Sequence, residues 1–217
     1  MFSQNPTEVL IVLDYDDTML PSTQLTRLMK QHRDSLHIKS AFDLPRSVWY
    51  DQAWKKYEDY ILEALKQLNI FGRVCIVTNA QENWVQWSCQ MFFPKVWQEI
   101  KKLEIISARS SFESVSTSCS QWKIKAFEKL YRQYQPSQVL SLGDSYLERL
   151  AAKTVFPNKC KTVKFSETPS ISMLHCQWKL LMQNYTSVVN HSGVLDLKLT
   201  IHEILKPDLC PLSKLVR

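Results

Sequence analysis

The run Val9-Leu10-Ile11-Val12-Leu13, followed at once by Asp14-Tyr15-Asp16-Asp17-Thr18, decides how the rest of the chain is read. Five consecutive apolar residues rich in β-formers suit a strand covered on both faces, as in the middle of a parallel sheet. Two further segments have the same form. Val74-Cys75-Ile76-Val77 runs into Thr78-Asn79, and Val139-Leu140-Ser141-Leu142 runs into Gly143-Asp144-Ser145, with Glu148 just beyond. Leu103–Ala108, Cys160–Phe165 and Leu195–Leu199 read as further strands.

Between these runs the period turns helical. Trp54, Tyr57, Ile61, Leu65 and Leu68 recur at three- and four-residue steps, and Gly72 stops the pattern before the next strand. Trp84, Val85, Cys89 and Phe92 give a second amphipathic stretch, ended by Pro94. Ile124, Phe127, Leu130 and Tyr134 give a third, and Ile171, Leu174, Trp178 and Leu181 a fourth that begins near Pro169. Strands alternating with helices predict right-handed βαβ units. The fold class is α/β, a three-layer sandwich on a mainly parallel, Rossmann-like sheet, with a small helical insert after the first strand.

The chain has 217 residues, 45% of them hydrophobic, with 3 Gly, which suits one domain over 1–217 and excludes disordered and collagen-like classes. No apolar run approaches the ~20 residues of a membrane span, and MFSQNPTE does not read as a signal peptide. The cysteines at 75, 89, 119, 160, 176 and 210 form no C-x-x-C pair, and the histidines at 32, 37, 175, 191 and 202 form no H-x-H or H-x-x-x-H pair. Free thiols in a reducing cytosol follow, so the expected location is cytoplasmic, and a transition-metal site is not expected. The net charge of +6 admits an acidic partner, but the lysines and arginines are scattered. Nucleic acid is not expected as the main partner, no membrane is, and the chain reads as a monomer or weak oligomer. The tail from Lys206 to Arg217 reads as packed or frayed loop.

In open α/β sheets, ligands bind beyond the carboxyl ends of the strands. Asp, Asn, Thr and Ser also cap helices after strands, and any one strand end reads that way. Three polar strand ends together, two of them rich in acid, point instead to a site. Asp14, Asp16, Asp17, Asp144 and Glu148 put several negative charges in one cleft, which a hard cation on oxygen ligands relieves; Mg²⁺ fits best.

The ordered set of D-x-D-x-T after one strand, a Thr after the next, a downstream lysine and G-D-S-x-x-E resembles the haloacid dehalogenase superfamily from about Val9 to Ala152. Lys123, followed by Ala126-Phe127, looks like the family's lysine, with Lys125 the runner-up. The resemblance implies that Asp14 is the nucleophile that forms an aspartyl-phosphate. Asp16 protonates the leaving group and then serves as base for water. The carboxylates of Asp14 and Asp144, with the Asp16 carbonyl, hold Mg²⁺. Thr78 and Lys123 bind phosphoryl oxygens, with Thr18, Asn79 and Arg109 as substrate-binding candidates and Ser145 and Glu148 in support. An acid at Asp16 favours phosphoryl transfer over dehalogenation. Family members often have Gly where Asp17 stands, and Asp17 reads as a turn residue.

From Asp14 to Thr78 is 64 positions and from Thr78 to Lys123 is 45. The family's substrate-selecting caps occupy these two intervals. The first holds two predicted helices, Gln24–Leu36 and Ser47–Asn69, so residues 19–70 form at most a minimal cap. The expected enzyme is a phosphatase with a fairly open cleft, and its phosphorylated substrate can be macromolecular. A non-catalytic binding or regulatory protein on the same fold is the alternative. The seven tryptophans read as core filling; a smaller expectation puts Trp84 and Trp87 at the cleft mouth.

Overall fold

The computed structural model describes residues 9–199; the tail from Lys206 and the first eight residues lie outside them. Within the described residues six strands, β1 (Val9–Leu13), β2 (Arg73–Thr78), β3 (Glu104–Ser107), β4 (Gln138–Gly143), β5 (Cys160–Lys164) and β6 (Leu195–Lys198), form one sheet. The order is β3-β2-β1-β4-β5-β6, and every neighbouring pair is parallel. The connections are α1 (Ser22–Leu36), α2 (Arg46–Trp49), α3 (Gln52–Phe71), α4 (Trp84–Phe92), α5 (Pro94–Ile100), α6 (Ala108–Phe112), α7 (Cys119–Tyr134), α8 (Tyr146–Val155), α9 (Ile171–Gln183) and α10 (Tyr185–Asn190). No described helix is long and apolar enough to cross a membrane.

Alternate residues of each strand feed two separate cores, which is why the apolar runs are continuous. Ile11, Leu13, Val74, Ile76, Leu140 and Leu142 pack with α3, α4, α5 and α9 on one face. Leu10, Val12, Cys75, Val77 and Val139 pack with α7 and α8 on the other. Two buried aromatic residues bond across the core: Trp54 Nε1 donates to the Phe92 carbonyl at 2.9 Å, and the Tyr57 hydroxyl to the Met19 carbonyl at 2.8 Å, whereas Trp49 Nε1 and the Tyr185 hydroxyl have no partner among the described residues. Buried Glu58 accepts from the Lys95 amide at 2.9 Å and so caps α5.

Two predicted elements differ in detail. The helix read over Ser47–Asn69 is broken at Tyr50-Asp51, because the Asp51 carboxylate accepts from the Trp54 amide at 2.8 Å and starts α3 afresh. Pro94 ends α4 but also opens α5, where its missing N–H costs nothing. Within 19–70, α3 is the crossover helix between β1 and β2 and sits in the core of the sheet's first face.

The crossovers depart from the sequence reading in hand. Moving from β4 to β5 the chain crosses through α8 on the α7 face; moving on in the same direction to β6 it crosses through α9 on the α3 face. Same direction with opposite faces means opposite hands. The β5–α9–β6 unit is therefore the odd one out among the described units, whereas right-handed crossovers were predicted throughout. Buried contacts with α3 outweigh the usual preference: α9 contributes Leu174, Trp178 and Leu181 to that core.

Candidate active site

Register brings the strand ends together. Leu13 lies beside Ile76 and Leu142, so Asp14, Thr78 and Asp144 emerge at one edge. The Asp14 amide continues the β1–β4 ladder by donating to the Leu142 carbonyl at 2.8 Å. The chain then turns through Asp17, whose φ is 52°. Asp tolerates this left-handed conformation better than most residues. The Asp17 carboxylate accepts from the Thr23 amide at 2.9 Å and from the Thr23 hydroxyl, tying the turn to the start of α1. It is a turn and cap residue.

Lys123 from α7 reaches through the fold to this edge. Its Nζ lies 2.5 Å from Asp14 Oδ1 and 2.5 Å from Glu148 Oε1, with the side chain 1% exposed. Glu148 is held on its other side by the Ser145 amide at 3.0 Å and the Ser145 hydroxyl at 2.5 Å, in the capping box that opens α8. Thr18 donates to Asp14 Oδ2 at 3.2 Å, and its own carbonyl accepts from Trp178 Nε1 at 2.8 Å.

Carboxylate oxygens of Asp14, Asp144 and Glu148 lie within 4.8 Å of one another. Three carboxylates and one ammonium sum to −3 + 1 = −2 when all are charged. Burial, reinforced by Glu148 and Asp144, drives Asp14 well above the ordinary carboxylate range in spite of Lys123. Burial, with Glu148 and Asp17, pushes Asp144 up to about 7. Burial works against the Lys123 charge, but Asp14 and Glu148 outweigh it and raise its pKa. Burial likewise opposes the Glu148 charge, and Lys123 and Ser145 overcome it and lower the pKa. Glu148 is thus committed to Lys123, and Asp14 and Asp144 carry the surplus charge. A divalent cation would cancel that surplus of two, and the all-oxygen donor set suits Mg²⁺ rather than a thiophilic metal.

Asp16 lines the same cleft but does not belong to this trio. Its Oδ1 accepts from Trp84 Nε1 at 2.9 Å, and Thr78 Oγ1 stands 3.4 Å from its Oδ2. Burial raises its pKa even though Trp84, Ser22 and Thr78 favour the ionised form. Thr78 Oγ1 accepts from the Ala80 amide at 3.0 Å, which fixes the hydroxyl at the start of the loop. Asn79 donates to the Cys119 carbonyl at 3.5 Å, and its buried Oδ1 has no partner. A cleft of about 300 Å³ is lined by Asp14, Asp16, Thr78, Asn79, Lys123, Asp144, Ser145 and Glu148.

Eight of the ten residues read from sequence therefore meet at one cleft. Thr18 lies fully buried behind Asp14 and does not line it. Arg109, on α6, is paired at 2.9 Å with Glu113 and is not brought to the cleft. Lys125 does not line it either. Two neighbours were not read as part of the site. Lys164 donates to the Asp144 carbonyl at 2.6 Å and pairs with Glu167 at 2.8 Å; its one signal was its place at a predicted strand end. Trp84 was read only as a candidate for the cleft mouth, and its bond to Asp16 has no signature in periodicity. Trp87 is 54% exposed.

No family model matches the chain, and no curated protein matches it. Among solved structures, a chain from Burkholderia xenovorans LB400 described as a haloacid dehalogenase-like hydrolase superposes with a TM-score of 0.42 at 13% identity, covering 73% of this chain and 84% of that one. A chain from Lactobacillus delbrueckii subsp. bulgaricus described as a phosphoglycolate phosphatase gives 0.39 at 13% identity, covering 96% of this chain and 100% of that one.

Proposed function

We propose that this protein hydrolyses phosphomonoesters through an aspartyl-phosphate on Asp14, with Mg²⁺ as cofactor. One observation carries the reading: a buried lysine bridges Asp14 and Glu148 at 2.5 Å in a cleft that also presents Asp144, Asp16 and Thr78. A lysine so placed orients the nucleophile and offers positive charge to phosphoryl oxygens. Asp14 and Asp144 would hold the cation, which when bound shields the charge that sets an anionic nucleophile against an anionic ester. Thr78 and the amides after it donate to the phosphoryl group. Asp16, whose pKa burial raises, gives its proton to the departing oxygen and then takes one from water.

What surrounds the cleft supports a reading of the substrate's size. Beyond the core helix α3, the β1–β2 interval offers α1, the short turn at Ala41–Asp43 and α2. That supports a minimal cap and access for large phosphoesters, phosphoproteins included. The five described cysteines are all free thiols, which supports a reducing, cytoplasmic location.

The test is hydrolysis of 4-nitrophenyl phosphate by wild type with Mg²⁺, with EDTA and as Asp14→Asn. Turnover that needs the metal and vanishes in the variant is expected. Retained turnover in Asp14→Asn would exclude Asp14 as nucleophile.

A further inference from the structure

Trp84 occupies a place that the chemistry above has not used. Its indole N–H reaches across 68 positions of sequence to Asp16 Oδ1 at 2.9 Å. The helix that carries it is fixed to the same loop, since Ser88 Oγ lies 2.6 Å from the Trp84 carbonyl and 3.1 Å from the Tyr15 hydroxyl. Phe42 packs edge-on against the indole at 5.9 Å, which holds the ring in plane. The two oxygens of Asp16 are consequently unlike. Indole N–H is a donor only, so Oδ1 is engaged as an acceptor. Oδ2 accepts the longer bond, 3.4 Å from the Thr78 hydroxyl, on the side of the cleft, and Ser22 also bonds to the carboxylate.

We propose that Trp84 is a positioning residue for the acid step: by holding Oδ1 it reserves Oδ2 as the oxygen that delivers the proton. The inference rests on the phosphatase reading. In that step a carboxylate oxygen of Asp14 bonds to phosphorus, and the P–O ester bond breaks with its electron pair passing to the ester oxygen. That oxygen takes the proton from Asp16 Oδ2, leaving a free alcohol, the phosphorylated Asp14 and an ionised Asp16.

Leaving groups that need no proton should not notice the loss of Trp84. The experiment measures kcat/KM, which reports steps up to departure of the alcohol, for glycerol 2-phosphate and for 4-nitrophenyl phosphate. It compares wild type, Trp84→Phe and Asp16→Asn at saturating Mg²⁺. The ratio of the two constants within one preparation does not depend on how much of the protein is folded. In Trp84→Phe the alkyl ester is expected to lose about tenfold or more relative to the aryl ester, and Asp16→Asn about a hundredfold or more. Equal losses on both esters in Trp84→Phe, total loss included, would overturn the role of Trp84. An unchanged ratio in Asp16→Asn, or a wild type inert to both esters, would instead overturn the phosphatase reading and this inference with it.

Discussion

Gly143 and Glu148 are in contact across the first turn after β4: a Cβ on Gly143 would stand 2.3 Å from Glu148 Cγ and 2.8 Å from its Oε2. The carboxylate that anchors Lys123 therefore passes through space that any other residue at 143 would fill. Gly143→Ala is expected to displace Glu148, lower stability by about 1–3 kcal/mol and depress turnover strongly. Urea unfolding and aryl phosphate hydrolysis on the same preparation check both.

Removing either partner of the Asp14–Lys123 pair should have unequal results. Lys123→Met leaves Asp14 and Glu148 buried without their cation, and a loss of about 3–5 kcal/mol is expected in EDTA. Mg²⁺ should restore part of it. Asp14→Asn leaves Lys123 with Glu148 and removes one of the surplus negative charges, so stability should stay within about 1 kcal/mol of wild type or rise. Denaturation curves with and without Mg²⁺ distinguish the two. Equal destabilisation would mean the surplus charge is not the dominant stress in the cleft.

The pH dependence of stability has a definite sign. Burial and the charges of Glu148 and Asp17 raise Asp144 to about 7, against 3.8 for the free carboxyl. A raised carboxyl stabilises the fold while protonated, and that contribution is lost as pH climbs from about 4 through 7. Without metal, stability should fall across this window by up to roughly 4 kcal/mol. Asp144→Asn should weaken the dependence, leaving the part due to Asp14 and Asp16, and saturating Mg²⁺ should flatten it, because the cation binds the ionised form. Unfolding midpoints at pH 5 and 8, in EDTA and in Mg²⁺, provide the check. A flat profile for the metal-free wild type would contradict the charge-crowding account.

Trp178 acts on the site at one remove, since its N–H holds the Thr18 carbonyl at 2.8 Å while the Thr18 hydroxyl reaches Asp14. Trp178→Phe orphans a buried carbonyl and opens a void, for an expected cost of about 2–3 kcal/mol. Turnover should fall several-fold as Asp14 loses its brace. Calorimetry and steady-state rates measure the two effects, and unaltered turnover would make Thr18 a packing residue alone.

Much of this architecture is written in the order of residues along the chain. Buried strands announce themselves as apolar runs, and the residue after each run must surface at the carboxyl edge, so Asp14, Thr78 and Asp144 could be read directly. Sequence favoured Lys123 over Lys125 only through the resemblance, and the structure separates them by burying Lys123 between Asp14 and Glu148. What periodicity does not encode is pairing at long range and hand. Nothing near Trp84 announces Asp16, 68 positions earlier. The break at Asp51 was hidden because Trp49 and Trp54, either side of it, are both buried and extend the apolar pattern through it. An amphipathic α9 fits either face of the sheet equally well in sequence; only the contacts with α3 select one.

That choice of face has a consequence for how the molecule is made. Because α9 returns to the α3 side, it brings the Ile171 amide to Gln24 Oε1 at 2.7 Å and Trp178 to Thr18, joining residues 147 and 160 positions apart. β1 leaves the ribosome well before α9, yet the loop it feeds lacks its Trp178 brace until a segment near residue 180 has emerged and docked. Closing so long a loop is slow, and a nascent chain that stops short of α9 would display an acidic, unbraced Asp14 loop beside an uncovered apolar face. The Asp14 loop thereby gains this brace only after α9 has docked.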